Sequence, residues 1–153
     1  MQLGIIGLPQ SGKTTVYNAL TGANIPVGIP SGHVEVHTSV VDVPDMRIDQ
    51  LEQIYKPKKT VRAKVTFADI GGSHLCGLDG SAGKAGLPGQ MVNQLSGMNG
   101  FLHIVRQFEN ASVPHLAGGV APLRDIQTMD TDFILNDLVM IERRLEKLRE
   151  EHR

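Results

Sequence analysis

The sequence predicts an α/β protein organised around a mostly parallel sheet. Three observations indicate this class. Strand-like and helix-like segments alternate, the strand-like segments are rich in β-branched residues, and a glycine-rich turn joins the first strand to the first helix. At 153 residues, the chain has the length of one domain, or of one domain with an appendage.

The elements follow from local patterns in chain order. The first strand is Leu3–Ile6, and the helix that starts at Lys13 ends before Gly22, with Val16 and Leu20 on one face. The other predicted elements are strands at Val34–Val43, Val61–Ala68 and Phe101–Val105, a helix opened by Pro44-Asp45 and closed by Pro57, and a short helix at Met91–Leu95.

The carboxyl-terminal segment differs from the rest of the chain in its charge. Residues 123–153 carry 14 charged side chains, against 17 in residues 1–122. From about Asp130 we predict one long helix, because apolar residues are spaced 4, 3, 4 and 3 apart at Ile134, Leu138, Ile141, Leu145 and Leu148. The two interpretations are a short coiled-coil seam and an amphipathic helix lying on the domain's own core. We therefore predict a domain over residues 1–122 and a helical extension over 123–153.

Composition excludes several classes of protein. Fifteen basic against sixteen acidic residues give a net charge of −1, which argues against a globally basic nucleic-acid binder. The single cysteine, Cys76, excludes an intrachain disulfide framework. No apolar run approaches the ~18 residues of a membrane span. We predict a cytoplasmic protein without a membrane partner.

The strongest motif is Gly7-Leu-Pro-Gln-Ser-Gly12-Lys13-Thr14-Thr15, which matches the phosphate-loop (Walker A) pattern G-x-x-x-x-G-K-[ST]. Glycines let backbone N–H groups curl into an anion-binding nest, and the following helix points the positive end of its dipole there. The predicted phosphate-binding residues are Gln10, Ser11, Gly12, Lys13, Thr14 and Thr15. A mostly parallel P-loop NTPase sandwich of three layers is the expected architecture.

Phosphate-loop enzymes hold Mg²⁺ between the loop and an acidic residue at the end of a buried strand, so we look for that residue here. Asp69 ends a Val-rich segment and opens the D-x-x-G pattern Asp69-Ile-Gly71-Gly72. We predict that Thr14 and Asp69 bind Mg²⁺ and that the Gly72 amide senses a γ-phosphate. Nine of the 17 glycines lie between Gly71 and Gly100, which is typical of a long connection and here fits a nucleotide-sensitive switch loop.

Several segments together resemble the Obg-like ATPase (YchF) family of TRAFAC-class P-loop GTPases. They are Gly4-Ile-Ile-Gly-Leu-Pro9, Gly12-Lys-Thr-Thr-Val-Tyr-Asn-Ala-Leu-Thr21, Val43-Pro-Asp-Met-Arg-Ile-Asp49, Phe67-Ala-Asp-Ile-Gly-Gly72 and His103-Ile-Val-Arg-Gln-Phe-Glu-Asn110. The resemblance covers nearly the whole chain. It implies an α/β nucleotide-binding domain interrupted by a coiled-coil insertion, ATP often preferred over GTP, and association with ribosomes.

The sequence also departs from that family. His33 stands where the family has a Mg²⁺-binding threonine, and Ser73 follows the D-x-x-G pattern. His74 is a candidate base for orienting water, against an ordinary loop histidine. The chain ends before the family's base-recognition motif. We therefore expect an incomplete sheet with an exposed edge, and the choice between ATP and GTP stays open.

Other residues have a functional and an ordinary interpretation. His33 and His37 lie four apart on one face of a strand-like segment, as a metal pair or as solvent-facing histidines. Cys76 is either an oxidisable thiol or an inert one. Five basic residues fall within nine positions and either meet rRNA phosphates or form a solvated edge: Lys56, Lys58, Lys59, Arg62 and Lys64.

The leading functional prediction is a Mg²⁺-dependent switch protein that binds ATP or GTP and associates with the ribosome. Whether it hydrolyses nucleotide stays open, and turnover is expected to be slow if it does. The alternative is a non-hydrolysing interaction module whose phosphate loop is vestigial and whose long helix binds a partner. A small-molecule kinase is a weaker third reading, because Arg106 and Arg124 are few for an arginine-bearing lid. A homodimer through the long helix or the open sheet edge is also predicted.

Overall fold

The computed structural model describes residues 1–27, 36–70, 89–113 and 118–151. Its four strands are β1 (Gln2–Ile6), β2 (Val36–Asp42), β3 (Lys64–Ile70) and β4 (Gly100–His103). Its four helices are α1 (Lys13–Thr21), α2 (Met46–Tyr55), α3 (Gly89–Ser96) and α4 (Pro122–Glu151).

The strands form one open sheet in the order β2-β3-β1-β4. β1 pairs in parallel with both β3 and β4, whereas β2 pairs antiparallel with β3. Two of the three pairings are therefore parallel, which confirms the mostly parallel sheet predicted from the sequence. Within the described part of the chain, β2 and β4 are the edge strands.

Helices cover both faces of this sheet. Ile5 and Ile6 point to opposite faces because they are adjacent in a strand, and both are buried. Ile5 lies beside Asp69, whose carboxylate contacts Thr14 of α1, so α1 covers that face. Ile6 packs with Leu95 of α3 and Met129 of α4 on the other face. The α/β sandwich of three layers is thereby confirmed.

The main apolar cluster lies on the α3 and α4 side of the sheet. It consists of Ile6, Ile70, Leu95 and Met129, and Leu8 and Phe133 pack against it. On the edge strand β4, the ring of Phe101 stacks on that of Phe133 with centroids 6.2 Å apart. α4 therefore contacts the edge strand β4 through this ring pair, while Phe101 stays 44% exposed.

Val16 and Leu20 share one face of α1 as predicted, but it is not the buried face. The buried residues of this helix are Lys13 and Tyr17, whereas Val16 is half-buried and Leu20 is 40% exposed. The inward positions of α1 are occupied by the lysine of the phosphate-loop motif and by a tyrosine. In β3 the buried residues are the consecutive Ala68, Asp69 and Ile70, because that end of the strand is covered on both faces.

The long helix begins at Pro122, eight residues before the predicted start at Asp130. Its first two turns bury Asp125 and Met129. Further along, Ile134, Leu138, Ile141 and Leu145 are 46–67% exposed. This part of the helix therefore does not lie on the core formed by the described residues, and the coiled-coil interpretation stays a prediction.

Helix α2 starts and ends as its sequence predicts. The Asp45 carboxylate accepts a hydrogen bond from the Arg47 amide at 2.9 Å, and the Lys56 amide donates to the carbonyl of Glu52 at 2.9 Å. No residue of α2 is buried. The helix therefore stands on the surface of the described part of the chain.

In the portion of the chain that the structure describes, none of the helices combines the length and the apolar character that crossing a membrane requires.

We predict that Met129→Ala lowers the free energy of unfolding by about 2–5 kcal/mol, because it opens a cavity in the core. Met129 is 1% exposed, whereas Met140 on the same helix is 50% exposed. Met140→Ala is therefore the matched control, and its effect should stay within about 0.5 kcal/mol. Urea denaturation of both variants measures this. Equal losses would show that the start of α4 is not part of the core.

Candidate phosphate-binding site

The turn between β1 and α1 has a backbone that only a few residue types adopt easily. Gly7, Gln10 and Gly12 have φ of 152°, 62° and 100°, and a positive φ favours glycine. At Gly7 a Cβ atom would lie 2.2 Å from the carbonyl oxygen of Ile104, just beyond β4. Gly7 is therefore required by close approach of a second strand as well as by backbone conformation.

The side chain of Lys13 folds back over this turn. It is 7% exposed, and its Nζ donates hydrogen bonds to the carbonyl oxygens of Gly7 at 3.0 Å and Leu8 at 2.9 Å. A buried ammonium needs such partners, because an uncompensated charge is costly away from water. The two bonds hold the turn curled and fix a positive charge inside it.

The start of α1 adds backbone donors to the same place. The first amides of a helix have no carbonyl partner within it, and Gly12, which precedes the helix, has no side chain that could cap them. The Ser11 amide is used within the turn, where it donates to the carbonyl of Leu8 at 3.2 Å. Two buried side-chain oxygens nearby, Ser11 Oγ and Gln10 Oε1, have no hydrogen-bond partner among the described residues. The turn thus concentrates donors and polar side-chain atoms around a cation.

A hydrogen bond of 2.7 Å joins α1 to β3, donated by Thr14 Oγ1 to Asp69 Oδ2. Asp69 is 1% exposed, and its second carboxylate oxygen, Oδ1, has no partner in the described part of the chain. A buried acceptor left in this way is costly unless a cation or a donor reaches it. A hydroxyl and a carboxylate are oxygen ligands of the kind Mg²⁺ prefers, so this pair fits that ion.

Tyr17 is a further buried polar residue near Asp69, and it was not singled out from the sequence. It lies one turn beyond Lys13 on the buried face of α1 and is 2% exposed. Burial raises the pKa of its phenol, the charge of Asp69 raises it further, and a hydrogen bond with Ser39 of β2 acts in the opposite direction. The sequence did contain a signal for the burial of Tyr17. It follows Lys13 by four residues, so both side chains lie on the same face of the helix.

His103 at the end of β4 is the other polar residue that sequence reasoning left out of the site. It pairs in register with Ile6, directly before the turn. Burial lowers the pKa of its imidazole, Asp130 of α4 acts in the opposite direction, and Lys13 adds to the lowering. Its Nε2 is buried without a partner among the described residues. The pKa of His103 therefore depends on the charges of both Lys13 and Asp130.

Comparison with known proteins identifies the chain's relatives. It is 38% identical over 146 residues to the ribosome-binding ATPase YchF of Escherichia coli O157:H7, covering 95% of this chain and 39% of that protein. Obg-like ATPase 1 of Oryza sativa subsp. indica is 32% identical over 149 residues, 97% of this chain and 37% of the relative. No family model matches the chain.

A solved structure agrees with these relatives. The YchF GTPase of Schizosaccharomyces pombe matches 98% of this chain with a TM-score of 0.67 and 29% identity, over 39% of its own length. This chain matches the amino-terminal part of the YchF/Obg-like ATPase family. The resemblance predicted from the sequence is therefore confirmed, and the chain spans about two fifths of the length of its YchF relatives.

The structure places the predicted site residues in two groups. One turn and one helix start hold Gln10, Ser11, Gly12, Lys13 and Thr14, and Asp69 meets them through Thr14. Thr15 lies in the first turn of α1 with its side chain exposed. The predicted residues His33, Gly72, Ser73, His74 and Cys76 lie outside the described residues.

Arg106 has a structural role in the described loop after β4. It is 5% exposed, and its guanidinium donates to the carbonyls of Phe108 at 3.1 Å and Val113 at 2.7 Å. The guanidinium also lies over the Phe108 ring, 4.7 Å from its centroid. Arg106 therefore shapes the chain after β4, which agrees with the sequence argument against a kinase lid.

We predict that stability falls as the pH drops below about 6.5, in part through His103. A lowered pKa in the folded state means that the unfolded chain takes up a proton first, so that acid favours unfolding. The measurement is the free energy of unfolding in urea at about pH 7.5 and about pH 5.5.

In the variant His103→Gln, the difference between these two pH values should be smaller. If parent and variant lose equal stability on acidification, His103 is not held in its neutral form by the fold.

Proposed function

We propose that this chain is the nucleotide-binding part of a ribosome-associated switch protein that binds ATP or GTP. The observation that carries the proposal is the juxtaposition of a buried ammonium and a buried carboxylate at one end of the sheet. The side chain of Lys13 folds over the curled turn. The next residue, Thr14, donates a hydrogen bond to the carboxylate of Asp69. The relatives are named as a ribosome-binding ATPase and a GTPase, which supports the same function.

A polyphosphate fits the turn for electrostatic reasons. The helix start carries a partial positive charge of roughly half a unit, and Lys13 adds a full one. The first-turn amides of α1, among them that of Thr14, donate in the same direction. In this proposal Gln10, Ser11, Gly12, Lys13, Thr14 and Thr15 surround the phosphates. The ammonium, already close to the turn, needs little reorganisation to contact them.

Thr14 and Asp69 would hold Mg²⁺ in the nucleotide complex. Asp69 Oδ1 is a buried oxygen without a partner among the described residues, and Thr14 Oγ1 lies 2.7 Å from Oδ2 of the same carboxylate. The ion, when bound, neutralises charge that accumulates on the phosphate oxygens. The chain's own contribution is to keep two oxygen ligands fixed at the end of β3 and the start of α1.

Hydrolysis in the whole protein would proceed by attack of water on the γ-phosphorus. The new bond joins the water oxygen to phosphorus, the bond to the β–γ bridging oxygen breaks, and the nucleoside diphosphate leaves with that oxygen. Lys13 and the amides of the turn offset the charge on the phosphates. We propose Gly72 as a backbone donor to the γ-phosphate and His74 as a group that orients water, and we expect slow turnover.

The other proposed properties concern the chain's setting. The nucleotide-binding part comprises residues 1–122 and the helical extension residues 123–153. We propose that the protein works in the cytoplasm, where ribosomes are, and that rRNA is among its partners. Co-sedimentation of the chain with ribosomes isolated from cell lysate tests the ribosome association.

A second candidate function is a helix-mediated interaction module, and α4 favours it. Four apolar side chains of α4 are 46–67% exposed: Ile134, Leu138, Ile141 and Leu145. Such a row is normally covered by another helix. We propose that a partner helix covers it, either in a homodimer of this chain or within a larger assembly. Sedimentation velocity over a range of protein concentrations tests the homodimer.

We predict that Lys13→Ala weakens nucleotide binding at least about 100-fold, since it removes charge-assisted contacts worth about 3 kcal/mol. Titration calorimetry with Mg²⁺–ATP, Mg²⁺–GTP and the diphosphates measures it, and a repeat in EDTA should weaken binding of the parent.

Lys147→Ala is the matched control, because Lys147 lies exposed on α4 and should leave binding unchanged. Circular dichroism checks that both variants fold. The proposal fails if millimolar nucleotide does not bind the parent, or if Lys13→Ala binds as well as Lys147→Ala.

A further inference from the structure

A basic surface lies at the end of α2, on the segment that leads to β3. The ten residues 55–64 contain five cations and no acidic residue, in a chain whose net charge is −1. Two of these cations have acidic partners: Arg62 pairs with Asp49, and Lys64 pairs with Asp42 at 3.0 Å. We call the remaining group, Tyr55, Lys56, Lys58 and Lys59, the α2-end patch.

The three lysines of the α2-end patch are all exposed. Among the residues that the structure describes, no carboxylate forms an ion pair with Lys56, Lys58 or Lys59. The α-carbons of Lys56 and Lys59 are at most about 11 Å apart, since extended chain spans up to about 3.6 Å per residue. Three positive charges therefore reach one short stretch of a ligand.

The backbone of Lys56 adopts a conformation in which lysine is uncommon. It ends α2 in the left-handed region, at φ 42° and ψ 58°, where glycine is the usual residue. A lysine there is less favourable for folding than glycine, and strained positions of this kind concentrate at functional surfaces. The following Pro57 fixes its own φ and stiffens the connection to Lys58.

An exposed aromatic ring completes the patch. Tyr55 is 75% exposed and directly precedes Lys56. Aromatic rings among exposed lysines suit single-stranded nucleic acid, because an unpaired base stacks on the ring while the cations meet phosphates.

We propose that the α2-end patch binds RNA, with the lysines on backbone phosphates and one unpaired base on Tyr55. The inference rests on the proposed function, since it names the surface through which a ribosome-associated protein meets rRNA. The site is separate from the phosphate loop, because Lys13, Thr14 and Asp69 lie at the turn after β1 and the end of β3, whereas the patch lies before β3 begins. Nucleotide and RNA binding are therefore separable by mutation.

The test measures binding of the whole chain to two probes, a short fluorescein-labelled single-stranded RNA and purified Escherichia coli ribosomes. The test variant is Lys56→Gln/Lys58→Gln/Lys59→Gln. The matched control, Arg143→Gln/Arg144→Gln/Lys147→Gln, removes the same charge from exposed positions of α4. Fluorescence anisotropy gives the RNA affinity, and sedimentation gives the bound fraction on ribosomes.

The expected result is a loss of at least about tenfold in RNA affinity in the patch variant and a small change in the control. Between about 50 and 200 mM salt, the slope of log affinity against log salt should fall by about 2, since three phosphate contacts are lost. Tyr55→Leu should weaken RNA binding roughly tenfold with the salt slope unchanged. Lys56→Gly should weaken RNA binding while the melting temperature stays equal or rises.

Several results would overturn the inference. These are the absence of RNA binding by the parent, equal losses in the patch and control variants, and ribosome binding that depends on the patch while RNA binding does not, which would indicate a ribosomal protein as the partner. Nucleotide titration of the same variants distinguishes the two proposals. If RNA binding depends on the patch but nucleotide does not bind, the proposed function alone is refuted. If nucleotide binds but ribosome binding does not depend on the patch, the inference alone is refuted.

Discussion

Two buried charges of opposite sign hold the start of α1 against the turn after β1 and against the end of β3. The Lys13 ammonium is held by the carbonyls of Gly7 and Leu8, and the Asp69 carboxylate by the hydroxyl of Thr14. Neither charge is stable in the interior without such partners. The start of α1 must therefore lie close to both the turn after β1 and the end of β3, and this requirement constrains the shape of that turn.

Other features of the structure follow from that requirement. Gly7 must be glycine, because the carbonyl of Ile104 approaches it as β4 pairs with β1. Tyr17 must face inward because Lys13 does, one turn earlier on the same helix. The parallel strands β1 and β3 end at the same edge of the sheet, which is where α/β proteins of this kind bind ligands. The polar site is thus a product of the topology as well as of the motif.

Much of this arrangement is predictable from the sequence, and the reason is local. The phosphate-loop motif, the Asp45 cap of α2 and the alternation of elements each depend on neighbouring residues. The parts that escaped prediction depend on distant ones. The buried face of α1 is set by contact with β2 and β3, and the position of His103 by pairing of β4 with β1. The burial of Met129 near the start of α4 was not predicted, because the core that buries it comes from β1, β3 and α3.

We propose that the turn after β1 and the first turn of α1 form a binding surface for phosphates before any ligand arrives. Backbone amide chemical shifts of the ¹⁵N-labelled chain, followed while Mg²⁺–ATP is added, test it most directly. We expect saturable shifts at Gly12, Lys13, Thr14 and Thr15, with the amides of α2 unchanged. Absent or non-saturating shifts at these four amides, or equal shifts across α2, would show that this turn is not a phosphate-binding surface.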